Sequence, residues 1–93
     1  MKHHIIVKWN EGVDKRAIAD PVRELFSSCT EIEGVHGAEI IENCIERDNR
    51  YDLMIVVDMD KDALPAWDGS DVHKAWKSGY GEMIAKKAIF DCE

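Results

Sequence analysis

The side chains of this sequence that titrate near neutrality are four histidines, His3, His4, His36 and His73. His73 follows Ser70-Asp71-Val72 at the opening of a helical pattern, between Trp67 and Trp76. An imidazole against a partly apolar wall makes a general base or acid whose proton affinity the wall tunes. The plainer reading of His73 is a hydrogen bond at a helix start that holds the preceding loop. His3 opens an apolar run and could face His73 across a cavity, one ring orienting a substrate while the other moves a proton. Its plainer reading is a satisfied histidine at a strand end, near a subunit contact. The candidate catalytic pair is therefore His73 and His3. His4 alternates to the opposite side and His36 lies in a weaker strand pattern, so both read as structural or exposed.

Trp67, Trp76 and Tyr80 converge on the same region. With Ile5, Val7 and Ile89 they are the expected lining of a ligand pocket that stacks a planar apolar or aromatic molecule. The same helical spacing is also that of ordinary core. Other chemistries lack their residues. No Gly-rich phosphate loop, Ser-His-Asp order or nucleophile elbow occurs, so no cofactor is expected. A two-histidine metal site needs a carboxylate as third ligand, and no spacing singles one out. Cys29, Cys44 and Cys92 are odd in number and form no CxxC or CxxH pair. They read as free thiols in a reducing cytoplasm, with Cys29 as inert packing.

The composition narrows the classes further. Ninety-three residues make one domain, 1–93, small enough that a partner subunit covering an apolar face would help it. Nineteen acidic against 12 basic residues leave a formal charge of −7, which repels phosphate backbones, so nucleic acid is not an expected partner. The opening apolar run, Ile5-Ile6-Val7, is too short for a signal peptide, and no segment has the length of a membrane span. A soluble, cytoplasmic protein is expected.

The candidate residues need elements to position them. Residues 2–9 alternate as a strand, with His3, Ile5, Val7 and Trp9 on one face and His4, Ile6 and Lys8 on the other. Ile18, Val22, Leu25, Phe26, Cys29 and Ile32 then follow the stripe of an amphipathic helix capped by Asp14. Pro21 predicts a kink, or a helix restarting with Asp20 as cap. Gly34 ends that helix, Val35 to Ile45 read as a second strand, and Tyr51 to Met59 as a third, central one. Asp60 opens a brief helix over 61–67, and Ser70 caps another whose stripe is Val72, Ala75, Trp76, Tyr80, Met83 and Ile84. Residues 86–92 form a last strand. The order β-α-β-β-α-β is the ferredoxin-like α+β arrangement, an antiparallel four-stranded sheet with both helices on one face. Both sheet faces are too apolar for water, so a homodimer is expected, with a second sheet as the cover.

Read in order, these residues resemble the stress-responsive α/β-barrel (Dabb) domain family. The likeness is carried by Lys2-His3, by Lys8-Trp9-Asn10-Glu11-Gly12-Val13, and by Tyr51-Asp-Leu-Met-Ile-Val-Val-Asp58. Ala63-Leu64, Ala66-Trp67, His73 and the closing Ile89-Phe90-Asp91 complete it. The motifs are short, but they run nearly the whole chain. The resemblance implies a dimeric α+β barrel, two four-stranded sheets packed face to face, with ligand cavities between sheet and helices. The wider barrel group includes cofactor-independent monooxygenases, muconolactone-isomerase-like enzymes and haem-binding relatives. In the polyketide-cyclase branch, a histidine opening the first strand and another on the later helix serve the active site, and those positions match His3 and His73. Three departures stand against that branch. Ser70-Asp71-Val72-His73 replaces His-Pro-x-His, Trp67 stands where the cyclases place a tyrosine, and a third-strand histidine falls near Leu53. The resemblance thus implies a stress-responsive-type binder of a small apolar or aromatic molecule. An acid/base enzyme and a purely structural dimer with a closed cavity are the alternatives.

Overall fold

The computed structural model describes residues 1–93, and its elements follow the expected order. They are β1 (Lys2–Trp9), α1 (Lys15–Phe26), β2 (Val35–Glu42), β3 (Leu53–Met59), α2 (Leu64–Asp68), α3 (Asp71–Tyr80) and β4 (Ile84–Cys92). Short 3-10 turns occupy Cys29–Glu31, Lys61–Ala63 and Gly81–Met83. The strands form one antiparallel sheet in the order β2-β3-β1-β4, so the fold is ferredoxin-like α+β. No helix is long and apolar enough to cross a membrane.

Alternation dictates the core. The β1 register sets Ile5 against Ile55 and Val7 against Leu53, and all four lie beneath the helices with at most 2% exposure. Ala19, Val22 and Phe26 of α1, Trp67 of α2, and Val72 and Trp76 of α3 close the layer from above. The opposite face carries Ile6, Met54 and Val56, half-buried in the single chain, with Ile41 and Phe90 exposed. One sheet face is a core, and the other is an apolar surface.

Several boundaries differ from the sequence pattern, each for a local reason. Helix α1 starts where expected, the Asp14 carboxylate accepting from the Ala17 N–H at 3.1 Å. It passes Pro21 as one helix; Asp20 is no cap, and its carboxylate takes the Arg23 guanidinium at 2.9 Å. It ends at Phe26, short of Ile32, where the Ser27 N–H turns onto the Arg23 and Glu24 carbonyls. Strand β2 stops at Glu42 because Asn43 folds the chain on itself, its side chain bonding Tyr51 O at 2.6 Å and the Ile45 N–H at 2.7 Å. Strand β3 begins at Leu53 because Asp52 spends its carboxylate on the Trp9 N–H, at 2.8 Å, and on Lys15, at 3.0 Å. Strand β4 gains Ile84 and Ala85, the Asn10 N–H holding Met83 O at 2.7 Å just before it. Ala75 and Met83, expected in the buried stripe of α3, are exposed.

Candidate functional site

Ser70 caps α3, its hydroxyl oxygen accepting from the His73 N–H at 3.2 Å while its own O–H donates to Trp67 O at 2.7 Å. These two hydrogen bonds at one hydroxyl join α2 to α3, and the His73 ring lies 5.5 Å from the Trp67 indole. The His73 Nδ1 lies 2.9 Å from Asp68 O. A carbonyl only accepts, so Nδ1 carries the hydrogen and Nε2 keeps a lone pair able to take a proton. The structural reading of His73 accounts for Nδ1, and Nε2 of this half-buried ring makes no hydrogen bond within the chain.

His3 reaches the same indole from the sheet. Its ring lies 6.4 Å from that of Trp67, edge-on, and is 6% exposed. Its Nδ1 meets the Asp91 carboxylate at 2.5 Å, a contact set by the β1–β4 register that places His3 opposite Asp91. The carboxylate fixes the ring's orientation and its tautomer, with Nδ1 as donor. Asp91 was absent from the candidate residues. Its alternation with Lys87 and Ile89 was visible in the sequence, but the cross-strand register that pairs it with His3 was not.

The remaining expected pocket residues form one aromatic train. Trp67 packs on Phe26 at 5.7 Å, Phe26 on Trp76 at 5.5 Å, and Trp76 stacks on Tyr80 at 5.3 Å and meets Trp9 at 6.1 Å. Phe26 links the two tryptophans and was read only as core. Ile5, Val7, Trp67 and Trp76 are themselves core, at 0–2% exposure, and Tyr80 is half-buried beside them. Ile89 lies across from Ile5 but at the sheet edge, where it is 51% exposed. Side chains thus fill the space between sheet and helices. The larger clefts lie elsewhere, and none is lined by either candidate histidine or by Trp67 or Trp76.

Two polar atoms stand out in this apolar interior. The indole N–H groups of Trp67 and Trp9 are buried and have no acceptor. A buried donor without a partner is costly and uncommon, so each marks a place where an acceptor would be stabilised. The Trp67 ring that carries one of them has both histidine rings as neighbours. The largest cleft, of about 490 Å³, lies at the Trp9 end of β1 and is polar, walled by Lys15, Arg16, Cys44, Glu46 and Asp52 among others. Asp52 raises the pKa of Lys15 through their hydrogen bond, so the pair behaves as a structural tie between α1 and β3. No group of three or more His, Cys, Asp or Glu side chains is arranged to hold a metal ion.

No protein-family model and no curated protein matches the chain. Solved structures do match it. A dimeric protein of unknown function and ferredoxin-like fold from Bacteroides fragilis aligns with a TM-score of 0.80 at 16% identity, over 99% of this chain and 93% of that one. A dimeric ferredoxin-like protein from Thermobifida fusca gives 0.78 at 18% identity, over 96% and 85%. A Dabb family protein with a ferredoxin-like fold from Mesorhizobium loti gives 0.70 at 14% identity, over 99% and 93%. The chain shares the fold of these proteins along essentially its whole length, and the Dabb resemblance read from its sequence has a structural counterpart.

Proposed function

We propose that this chain is a Dabb-type domain that works as a homodimer and binds a small apolar or aromatic molecule bearing a hydrogen-bond acceptor, seated against Trp67. The observation that carries the reading is the convergence on one indole. Trp67 has an uncommitted, buried N–H, and His3 and His73 flank its ring. A few polar groups aimed into an apolar setting is the composition of a small-molecule site. The sheet–helix interior itself is filled, so the ligand approaches from the β4 edge, where Ile89 and Asp91 are left uncovered by the helices. Homodimerisation rests on the apolar outer face of the sheet and on the dimeric character of two fold neighbours. Three free thiols suit a reducing cytoplasm.

Acetophenone, a planar aromatic ketone, is a suitable first probe, titrated into nitrogen-15-labelled protein. The expected result is a saturable shift of the Trp67 indole N–H resonance, larger than that of Trp9, with His73 shifting alongside. A panel of such ketones that leaves the Trp67 indole unmoved would remove the binding reading and leave the closed, structural dimer.

The enzyme reading has its own support in the His3–Asp91 contact and the free Nε2 of His73. In it, His73 Nε2 takes a proton from a carbon next to a ligand carbonyl, and His3, as an imidazolium whose Nδ1–H is held by Asp91, donates its Nε2–H to the oxygen that gains charge. His73→Ala separates the two readings, abolishing turnover in an enzyme while leaving binding nearly intact.

A further inference from the structure

We propose that the polar cleft at the Trp9 end of the sheet is a binding site for a small aliphatic zwitterion of the amino-acid class, its carboxylate held by Arg16 and its ammonium by Glu46. The cleft shares no residue with the Trp67 site, so this inference stands apart from the reading above. Its volume of about 490 Å³ falls within the roughly 300–1,000 Å³ of small-molecule sites. One wall is the first turn of α1, with Lys15 and Arg16. The other is the end of β2 and the segment after it, with Glu42, Cys44, Ile45 and Glu46. Both walls are fixed within the chain. Asp14 caps α1 through the Ala17 N–H at 3.1 Å, and Asp52, just before β3, holds Lys15 at 3.0 Å. Lys8 donates to Asp48 O at 2.8 Å and to Arg50 O at 3.1 Å, which pins the 43–52 segment to the sheet. Walls already ordered lose little freedom when a ligand binds.

The charges of the cleft divide into committed and free. Lys15 is paired with Asp52, and Glu42 takes the Arg23 guanidinium at 3.0 Å. Arg16 and Glu46 remain, and neither forms an ion pair with another side chain. The hydrogen bond to Asp52 raises the Lys15 pKa most, and the charge of Glu46 adds to it. The Glu46 carboxylate therefore lies near that ammonium without pairing with it. One free cation and one free anion, on opposite walls, suit a ligand that carries one charge of each sign. A simple anion would meet Glu46 as a like charge, and a simple cation would meet Arg16 so. The planar fork of a guanidinium matches a carboxylate, and a carboxylate accepts from an ammonium. Ile45, 47% exposed, offers the same cleft an apolar surface for a short hydrocarbon stretch.

The test is titration of nitrogen-15-labelled wild type with L-leucine and with ε-aminocaproate, which differ in the spacing of their two charges. Caproate and hexylamine, which carry one charge each, are the comparison. We expect at least one of the two amino acids to give saturable shifts centred on the backbone amides of Arg16, Cys44 and Glu46, with a dissociation constant of about 1 mM or below. Caproate and hexylamine should each bind at least about ten-fold more weakly, and so should the same amino acid to Arg16→Gln and to Glu46→Gln. Neither substituted side chain has an ion-pair partner to lose, so both variants should keep the wild-type spectrum away from the cleft. Four results overturn the site: no saturable shift from either amino acid, shifts centred elsewhere, caproate or hexylamine binding as tightly as the amino acids, or an affinity that both variants leave unchanged.

Discussion

Asp91 decides what His3 can do. In the sequence His3 is a lone imidazole at a strand start, whereas in the fold its Nδ1 is committed to a carboxylate at 2.5 Å and only 8% of its side chain meets solvent. Asp91→Ala leaves a buried ring nitrogen without its partner and is expected to cost about 1–3 kcal/mol, read as a lowered urea midpoint. Asp91→Asn keeps an acceptor oxygen and should cost less. Equal costs for the two would show that the contact is not what holds the ring. Cys29 is a second residue whose behaviour follows from its surroundings. Burial raises its thiol pKa above the ordinary 9.0, so the reactive thiolate is disfavoured in the folded chain. Iodoacetamide is therefore expected to label Cys44 and Cys92, both exposed, and to reach Cys29 only as urea unfolds the protein. The sign of the linkage is fixed as well. The folded state holds this proton more tightly than the unfolded one, so the contribution is intact below the unfolded pKa and is lost as pH rises through the folded value.

At the scale of elements, the turn before β2 is the most crowded of the glycine positions. Gly34 has φ +84, and a Cβ built on it would stand 2.8 Å from the Ala63 Cβ, where the Lys61–Ala63 turn packs down. Gly12 has nearly the same backbone, φ +88, with nothing within 4 Å. The two glycines separate backbone strain from crowding. Gly12→Ala is expected to cost about 1–2 kcal/mol, the strain of a left-handed residue, and Gly34→Ala to cost that plus about 1–3 kcal/mol for the overlap. Matched denaturation curves check the difference, and equal losses would dismiss the close approach. The α2–α3 corner is the element on which the candidate site depends. Ser70→Ala removes both the cap of α3 and the bond to Trp67 O, and a loss of about 1 kcal/mol is expected. Because the hydroxyl bonds both the His73 N–H and Trp67 O, the same variant should also shift the Trp67 indole resonance.

The whole molecule is two layers, one sheet with helices on one of its faces, and the other sheet face is uncovered. Its helix side is a filled aromatic core, and its other side exposes Ile41 and Phe90 with Ile6, Met54 and Val56 half-buried between them. An assembly that binds only the folded chain stabilises it by mass action, so the Tm is expected to rise with protein concentration over about a hundred-fold range. A Tm flat over that range is the behaviour of a monomer. Met54→Lys places a charge in the middle of the outer face, away from the core, and is expected to abolish the concentration dependence while leaving the monomer folded. Light scattering of the variant at high concentration checks it.

The sequence by itself determined the order of elements, the strand faces and the caps of α1 and α3, whereas Asp60, expected to cap the brief helix, makes no capping bond. These rest on near-neighbour physics. Alternation sorts Ile5 and Val7 from Ile6, and the stripe of α1 and the hydroxyl of Ser70 each act within one turn. It also brought forward His3, His73 and Trp67, which the fold does gather at one place. Only the tertiary structure decided that Ile5, Val7 and Trp76 are packing, because whether an aromatic stripe lines a space or fills it depends on what lies opposite. Phe26, distant in sequence, lies opposite and fills it. The His3–Asp91 pair likewise waits on the strand register, which joins residues 88 positions apart. Local patterns reach a few residues, and a register is fixed only when two distant strands have met.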